Sequence, residues 1–333
     1  MIISRAPYRI SFFGGGTDYP PWYKENGGAV ISTTIDKYCY ISARYLPPFF
    51  EHKHRIVWSQ IELPQEIDEI HHPSVRETLK HLGIEDGIEI HHKGDLPARS
   101  GMGSSSTFTV CLLHALYSLQ GRMVSKRQLA LDAIHIEQER IKENVGSQDQ
   151  VAAAYGGFNK IEFGNLNHID VHPIVIDSVK LELLQKHFLL FFTGLSRTAS
   201  EVVVEQIKNT TENKKDFELK LMREMVDESI KILTNQNNNF EEFGKLLHEA
   251  WQIKKEMSSK ISNPRIDEIY KTGLDSGALG GKLLGAGGGG FILFFAKPEA
   301  QSKIKEKLKY LINVPFKFEN LGSQIIYYDP QSI

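Results

Sequence analysis

Residues 96–119 read LPARSGMGSSSTFTVCLLHALYSL, a loop of glycine and serine that runs straight into a long apolar stretch. Glycines at 101 and 103 tolerate φ/ψ values and close approaches that other residues do not, so the loop belongs where backbone comes near a partner. The apolar residues Phe108, Val110, Cys111, Leu112, Ala115, Leu116 and Leu119 specify a helix over 105–120, with a serine or threonine as its N-cap. Such a helix aims the unpaired amides of its first turn, and the positive end of its dipole, back across the loop. That arrangement suits phosphate. A tight strand-to-helix turn capped by serine is the alternative. Two common phosphate loops are excluded: no lysine follows in the GxxxxGK[ST] position, and Ser106 stands where the dinucleotide fingerprint needs its third glycine.

Around this loop, short strand-like runs alternate with helical periodicity. "YCYISARYL", "HRIVWSQIEL" and "GIEIHHKGDL" read as strands, and a helix is expected over 125–143 behind a cap at Ser125. "GGFNKIEFGNLNHIDVHPIVI" returns to strand. From residue 198 the texture changes: "TASEVVVEQIKN", "KDFELKLMREMVDESIKILTNQ" and "FEEFGKLLHEAWQIKKEMS" are three amphipathic helices, with NQNNN as a polar turn between the last two. A helix-like run at 299–311 and a strand-like "SQIIYYD" close the chain. Its 333 residues leave room for two cores, and the boundary is expected near residue 178, giving units 1–177 and 178–333.

Charge narrows the function classes. Lys plus Arg number 39 and Asp plus Glu 41, a net charge of −2 with no footprint for nucleic acid or a membrane surface. No stretch of about 20 apolar residues occurs, and "MIISRAPYRISFF" lacks the apolar core of a leader, so a cytoplasmic protein is expected. Cys39 and Cys111 sit in apolar surroundings without metal-type spacing and read as buried thiols. The pairs His71/His72 and His91/His92 read as structural or surface groups, because neighbours on a strand face opposite ways.

Glycine is also dense in "RAPYRISFFGGGTDYPPWY" and "KLLGAGGGGFILFF". In the latter, Gly285 and the run at 287–290 precede a continuous apolar strand, where consecutive glycines are entropically costly; close backbone approach, a bulge or an interdomain packing turn would each account for them. Taken together, "APYRISFFGGGTDY" (6–19), "LPARSGMGSSST" (96–107) and "KLLGAGGGGF" (282–291) resemble the three motifs of the GHMP kinase family, named for galactokinase, homoserine kinase, mevalonate kinase and phosphomevalonate kinase. The resemblance spans nearly the whole chain. It implies an α+β, two-domain fold, with a ribosomal-protein-S5-like N-terminal domain, a ferredoxin-like C-terminal domain and the active site between them. It further implies ATP and Mg²⁺, a small-molecule sugar phosphate substrate, no nucleic-acid or membrane partner, and a monomer or homodimer. GGGTDYPPWY, in place of the galactokinase-type GEHTDY, is similar to the branch of sugar 1-kinases that act on heptose 7-phosphate and, more distantly, on fucose.

The same resemblance assigns roles. Asp149, in "GSQDQ", matches the family's catalytic aspartate, and Arg9 the basic residue of the first motif. Arg99, Ser100, Gly101, Met102, Gly103, Ser104, Ser105 and Ser106 form the nucleotide loop. Ser105 matches the magnesium-contacting hydroxyl; the acidic partner is Glu137 by the galactokinase spacing and Glu139 by the shorter mevalonate-kinase spacing. Gly15, Gly16, Thr17 and Asp18 are expected at the sugar, as are Gly287 and Gly288, with Asp18 accepting from a hydroxyl or else serving as a turn residue. A substrate that already carries phosphate calls for a cation, and Arg197 and Lys282 are best placed by sequence. A sensor that kept the fold and lost turnover is the rival from another class. The presence of Asp149, Arg9 and Ser105 argues against it, since sensing needs no base.

Overall fold

The first strand, β1 (Ile2–Phe13), alternates buried with half-buried over its first four residues and is buried throughout from Ala6 onward, so both of its faces must be covered. The computed structural model describes residues 1–330 apart from 167, 195–198, 213, 237 and 238. β1 pairs antiparallel with β2 (Gly28–Tyr45), whose length lets it serve two more partners. Strands β3 (Arg55–Val57) and β4 (Ile61–Glu62) form a small hairpin, with β3 running parallel to β5 (Ile88–Gly94). β5 takes the C-terminal half of β2, while β6 (Phe158–Phe163), flanked by β7 (Ile169–Pro173), takes the N-terminal half. The run "HRIVWSQIEL" is therefore two short strands and not one, because the Trp58 amide donates to the Gln60 carbonyl and closes a turn.

The helix Ser104–Leu119 lies on β1 and β2, with Lys126–His135 and Gln148–Tyr155 beside it. Its N-cap is Gly103 at φ 74°, not a serine or threonine; the Ser104 hydroxyl instead accepts from the Arg99 amide at 3.0 Å. The Ser125 cap forms as expected, accepting from the Gln128 amide. Its α-helix stops at His135, short of 143, and continues as one π turn over Ile136–Arg140.

A second, four-stranded antiparallel sheet follows in the order β11-β8-β10-β9: β8 (Phe188–Gly194), β9 (Ala278–Leu283), β10 (Gly290–Ala296) and β11 (Ile312–Asn313). The three amphipathic helices span Ala199–Thr211, Asp216–Thr234 and Glu241–Glu256, and the 299–311 run contracts to a helix over Gln301–Lys307. The chain then crosses back. β12 (Phe318–Glu319) joins β2 and β13 (Gln324–Tyr328) joins β1, so a division near residue 178 puts these strands in a different unit from the sheet they complete.

One apolar core fixes the two sheets against each other. Phe12 of β1 stacks on Phe188 of β8 with centroids 5.1 Å apart and meets Phe243 edge-on at 5.9 Å, with Phe158 and Phe318 completing the cluster. Burying each such ring contributes roughly 1.5–3 kcal/mol, and edge-to-face pairs add to it. Three residues before Phe12 on the same strand stands Arg9, the first residue of the site.

Candidate active site

Arg9 is 4% exposed, and a guanidinium that deep needs partners for its whole donor fork. Its Nε donates to Asp149 Oδ1 at 2.7 Å and its Nη2 to Asp149 Oδ2 at 2.9 Å, while Nη1 donates to the Gly101 carbonyl at 2.8 Å. The register of β1 against β2 slips between Pro7 and Arg9, an irregularity of the kind that re-aims side chains beside sites. One arginine therefore ties the first motif to both the glycine loop and the catalytic-aspartate candidate.

Three consecutive residues of the Gln148–Tyr155 helix face three different site groups, because helical neighbours point about 100° apart. Gln148 Nε2 donates to Asp18 Oδ2 at 3.0 Å, Asp149 takes Arg9, and Gln150 Nε2 donates to Glu137 Oε2 at 2.5 Å. Gly146, just ahead of them, leaves room for Asp18: a Cβ there would stand 2.0 Å from Asp18 Oδ2. Burial raises the Asp18 carboxyl above its ordinary range, with the nearby Asp149 charge pushing the same way, while the Gly16 and Gln148 amides pull it down.

Glu137 is fully buried at the π turn, a feature frequent at functional sites. The hydroxyl that reaches it is Ser106, donating to Oε2 at 2.7 Å; Ser105 faces solvent. Glu139 points outward and pairs with His135 at 2.8 Å, so of the two glutamates only Glu137 joins the site. Its Oε1 makes no hydrogen bond among the described residues, and burial pushes the carboxyl up to about 7 against the Ser106 and Thr109 hydroxyls and the Gln150 amide. A buried carboxylate with one open oxygen fits a hard divalent cation. Among the described residues no group of three or more His, Cys, Asp or Glu is gathered to hold a metal, so phosphate oxygens and water would complete such a cation's shell.

The nucleotide-loop candidates divide by what holds them. Ser100 donates to the Pro97 carbonyl at 2.7 Å and Met102 is buried, which leaves the backbone of Gly101, Gly103 and the helix's first turn facing the site. Arg99 adopts φ 57°. A Cβ on Gly103 would come within 3.1 Å of the Asp149 carboxylate. The third glycine loop packs on the second: a Cβ at Gly285 would stand 2.3 Å from Gly101 Cα, and one at Gly290 would stand 2.3 Å from the Ser100 carbonyl oxygen. Gly287 presses on the backbone of Ile261, and the Gly288 amide donates to the Ile261 carbonyl at 2.9 Å. Close backbone approach accounts for these glycines, and the partner is the protein itself.

Among the sugar-site candidates, Gly16 donates its amide to Asp18 Oδ1 at 2.9 Å, and Gly15 lies near Ser11 and Gln148. The Thr17 hydroxyl is shared between the Gly14 and Ala29 carbonyls and is fully buried, which makes it a buttress of the turn. Arg197 lies outside the described residues. Lys282, 3% exposed on β9, donates to the Phe12 carbonyl at 2.8 Å, and burial lowers its ammonium well below the ordinary lysine range. Beside it stands Lys254, which motif reading missed. It is 7% exposed, donates to the Gly285 carbonyl at 2.5 Å and is pushed down to about 8 by burial and by Arg9. The available signal was its place on the apolar stripe Leu247–Trp251–Lys254 of an amphipathic helix. Gly146, Gln148 and Gln150 were missed because only Asp149 in their pentapeptide carries recognisable chemistry.

The histidine pairs stay outside this site. His72 stacks on Phe108 with centroids 4.5 Å apart, burial pushing it down to about 4, while His71 is exposed. Cys39 and Cys111 are free and buried. No helix among the described residues is long and apolar enough to cross a membrane.

The family described as "GHMP kinases N terminal domain" matches residues 71–157, and "GHMP kinases C terminal" matches residues 228–313, together more than half of the chain. The chain belongs to the GHMP kinase family. The D-glycero-alpha-D-manno-heptose 7-phosphate kinase of Campylobacter jejuni is 28% identical over 92% of this chain and 93% of its own length. The L-fucokinase/L-fucose-1-P guanylyltransferase of Bacteroides fragilis is 26% identical over 92% of this chain, which spans 36% of that longer protein. In fold, this GHMP kinase superposes on the crystal structure of a D-glycero-D-manno-heptose 1-phosphate kinase from Bacteroides thetaiotaomicron, with a TM-score of 0.77 over 98% of this chain and 99% of the other at 23% identity. It is an ATP-dependent sugar kinase of the GHMP type.

Proposed function

We propose that this sugar kinase transfers the γ-phosphoryl group of ATP to the anomeric hydroxyl of D-glycero-D-manno-heptose 7-phosphate, giving the 1,7-bisphosphate and ADP. The observation that carries the reading is the bidentate Arg9–Asp149 pair at the mouth of the glycine loop. A carboxylate gripped through both oxygens keeps a fixed direction, which is what a residue orienting a nucleophilic hydroxyl needs. Asp149 accepts the hydrogen bond of the anomeric hydroxyl and takes its proton as the new O–P bond forms. Arg9 steadies the charge that develops on the attacking oxygen. The first-turn amides of the Ser104 helix, with the backbone of Gly101 and Gly103, receive the triphosphate. Glu137, with Ser106 beside it, is the holder of Mg²⁺, which when bound neutralises phosphate charge. Asp18, flanked by Gly15 and Gly16, takes a sugar hydroxyl.

The choice of sugar rests on the likeness to the Campylobacter jejuni enzyme and on the buried cations facing Asp18. The likeness to the fucokinase supports a neutral sugar instead. Product formation from ATP with heptose 7-phosphate, fucose and galactose, followed by ³¹P NMR for an anomeric phosphate, separates the two. The expected result is a kcat/KM for the phosphosugar at least tenfold above either neutral sugar; equal or reversed preference rejects the assignment.

A further inference from the structure

Two lysine side chains, Lys254 and Lys282, are buried in the wall that faces Arg9 and Asp149. Among the described residues Lys254 and Lys282 each meet a single backbone carbonyl, of Gly285 and Phe12, and neither has a carboxylate at ion-pair distance. An ammonium carries three donors, so both are left short. The charges within reach of Lys254 are Arg9 on β1, Asp18 in the turn after it and Asp149 on the Gln148 helix; Lys282 on β9 lies within reach of Lys254 itself. Asp149 is already matched by Arg9 through both oxygens, which leaves Lys254 with no carboxylate partner of its own among the described residues. Uncompensated buried charge is strongly unfavourable unless a ligand completes it.

The place of Lys254 says which ligand. Its carbonyl partner Gly285 touches Gly101 of the nucleotide loop, so the ammonium sits where the second and third glycine loops meet. We propose that Lys254 is a phosphoryl-binding residue of the reaction, its ammonium donating to a non-bridging oxygen of a phosphoryl group that a substrate carries in. Two sources share that chemistry: the γ-phosphoryl of ATP and the phosphate on the sugar. The inference rests on the kinase reading but not on which sugar is used.

Calorimetric titration of ATP, ADP and heptose 7-phosphate, each alone, into the parent enzyme, Lys254→Met and Lys254→Arg tests it. The expected result is a loss of about ten- to a hundredfold in affinity for one phosphorylated ligand in Lys254→Met, with most of it regained in Lys254→Arg. A loss confined to ATP assigns the γ-phosphoryl. A loss confined to heptose 7-phosphate assigns the sugar's phosphate. A folded Lys254→Met that binds all three within threefold of the parent overturns the proposal. Should Lys254→Met fail to fold, pH decides. Phosphate is fully ionised well below pH 8, so the parent's affinity for the assigned ligand should fall about tenfold per unit above pH 8 as Lys254 loses its proton, and Lys254→Arg should not follow. A parent affinity that is flat from pH 7 to 9.5 overturns it too. Absence of heptose binding would defeat the sugar assignment while the ATP titration still stands.

Discussion

On the wall built from the first sheet, the site's charged side chains are already partnered: Asp149 by Arg9, Asp18 by Gln148, Glu137 by Ser106 and Gln150. On the wall built from the Glu241–Glu256 helix and β9, Lys254 and Lys282 each donate to one backbone carbonyl and to no carboxylate among the described residues. A polar network whose members are mostly partnered without ligand is held in place, and of these three carboxylates only Glu137 keeps an open oxygen among the described residues. Groups left short by the fold gain most from binding. The proposed roles follow this contrast: orientation of the nucleophile falls to the first wall and capture of substrate charge to the second, as suits phosphoryl transfer, where positioning and electrostatics supply most of the rate.

The sharpest way to break this division is Asp149→Asn. The amide keeps the shape of the side chain but loses the charge that fixes Arg9 and the basicity that takes a proton. Turnover should fall by roughly 10²–10⁴, the range for a positioned general base, with ATP affinity largely kept. Near-normal kcat in this variant, measured at saturating substrates, would remove chemistry from the first wall.

That wall was partly legible in the sequence, and the reason is local. Arg9, Asp149, Asp18 and the glycine loop each stand in a short motif whose residue types imply a backbone conformation or a charge. What was not legible depends on contacts across the fold. Gly146 is required by Asp18, 128 positions earlier, whose carboxylate would meet its Cβ. Gly285, Gly287 and Gly290 pack on Gly101, Ile261 and Ser100, contacts that the glycine run alone does not specify. Two family spacings pointed to Glu137 and to Glu139, and only the fold separates them, burying Glu137 while Glu139 pairs with His135 at the surface. Lys254 was hidden in helical periodicity that reads equally well as a snorkelling surface lysine.

Glu137→Gln sharpens the comparison from the other direction, by asking how settled the first wall is with no cation bound. Burial holds the folded carboxyl at about 7, above its ordinary 4.5. The folded state therefore keeps a proton that the unfolded chain gives up, and stability due to this group is full below pH 4.5 and lost as pH rises to about 7. The gap corresponds to ~3 kcal/mol. Urea melts in chelator between pH 4.5 and 8 should show the parent losing about that much relative to the glutamine variant, which has no charge to bury. Parallel curves for the two proteins would mean that Glu137 is solvated or paired in the free enzyme.

Gly103→Ala asks for the smallest effect and the finest distinction. Sequence reasoning puts Gly103 against the triphosphate, so a side chain there should weaken ATP binding. The structure adds a second neighbour: a Cβ would lie 3.1 Å from Asp149 Oδ2, in a residue already at φ 74°. An alanine at that backbone angle costs about 1–2 kcal/mol of stability, while the carboxylate needs to give way by only a few tenths of an ångström. Asp149 cannot shift freely, because Arg9 grips both of its oxygens and is itself tied to Gly101. The displacement should therefore pass to the Arg9–Asp149 pair and appear as a severalfold drop in kcat with ATP affinity changed less than threefold. If calorimetry instead finds ATP affinity falling while kcat at saturation holds, Gly103 serves the nucleotide alone. The loop and the catalytic pair would then be separable parts of the first wall, not a single unit.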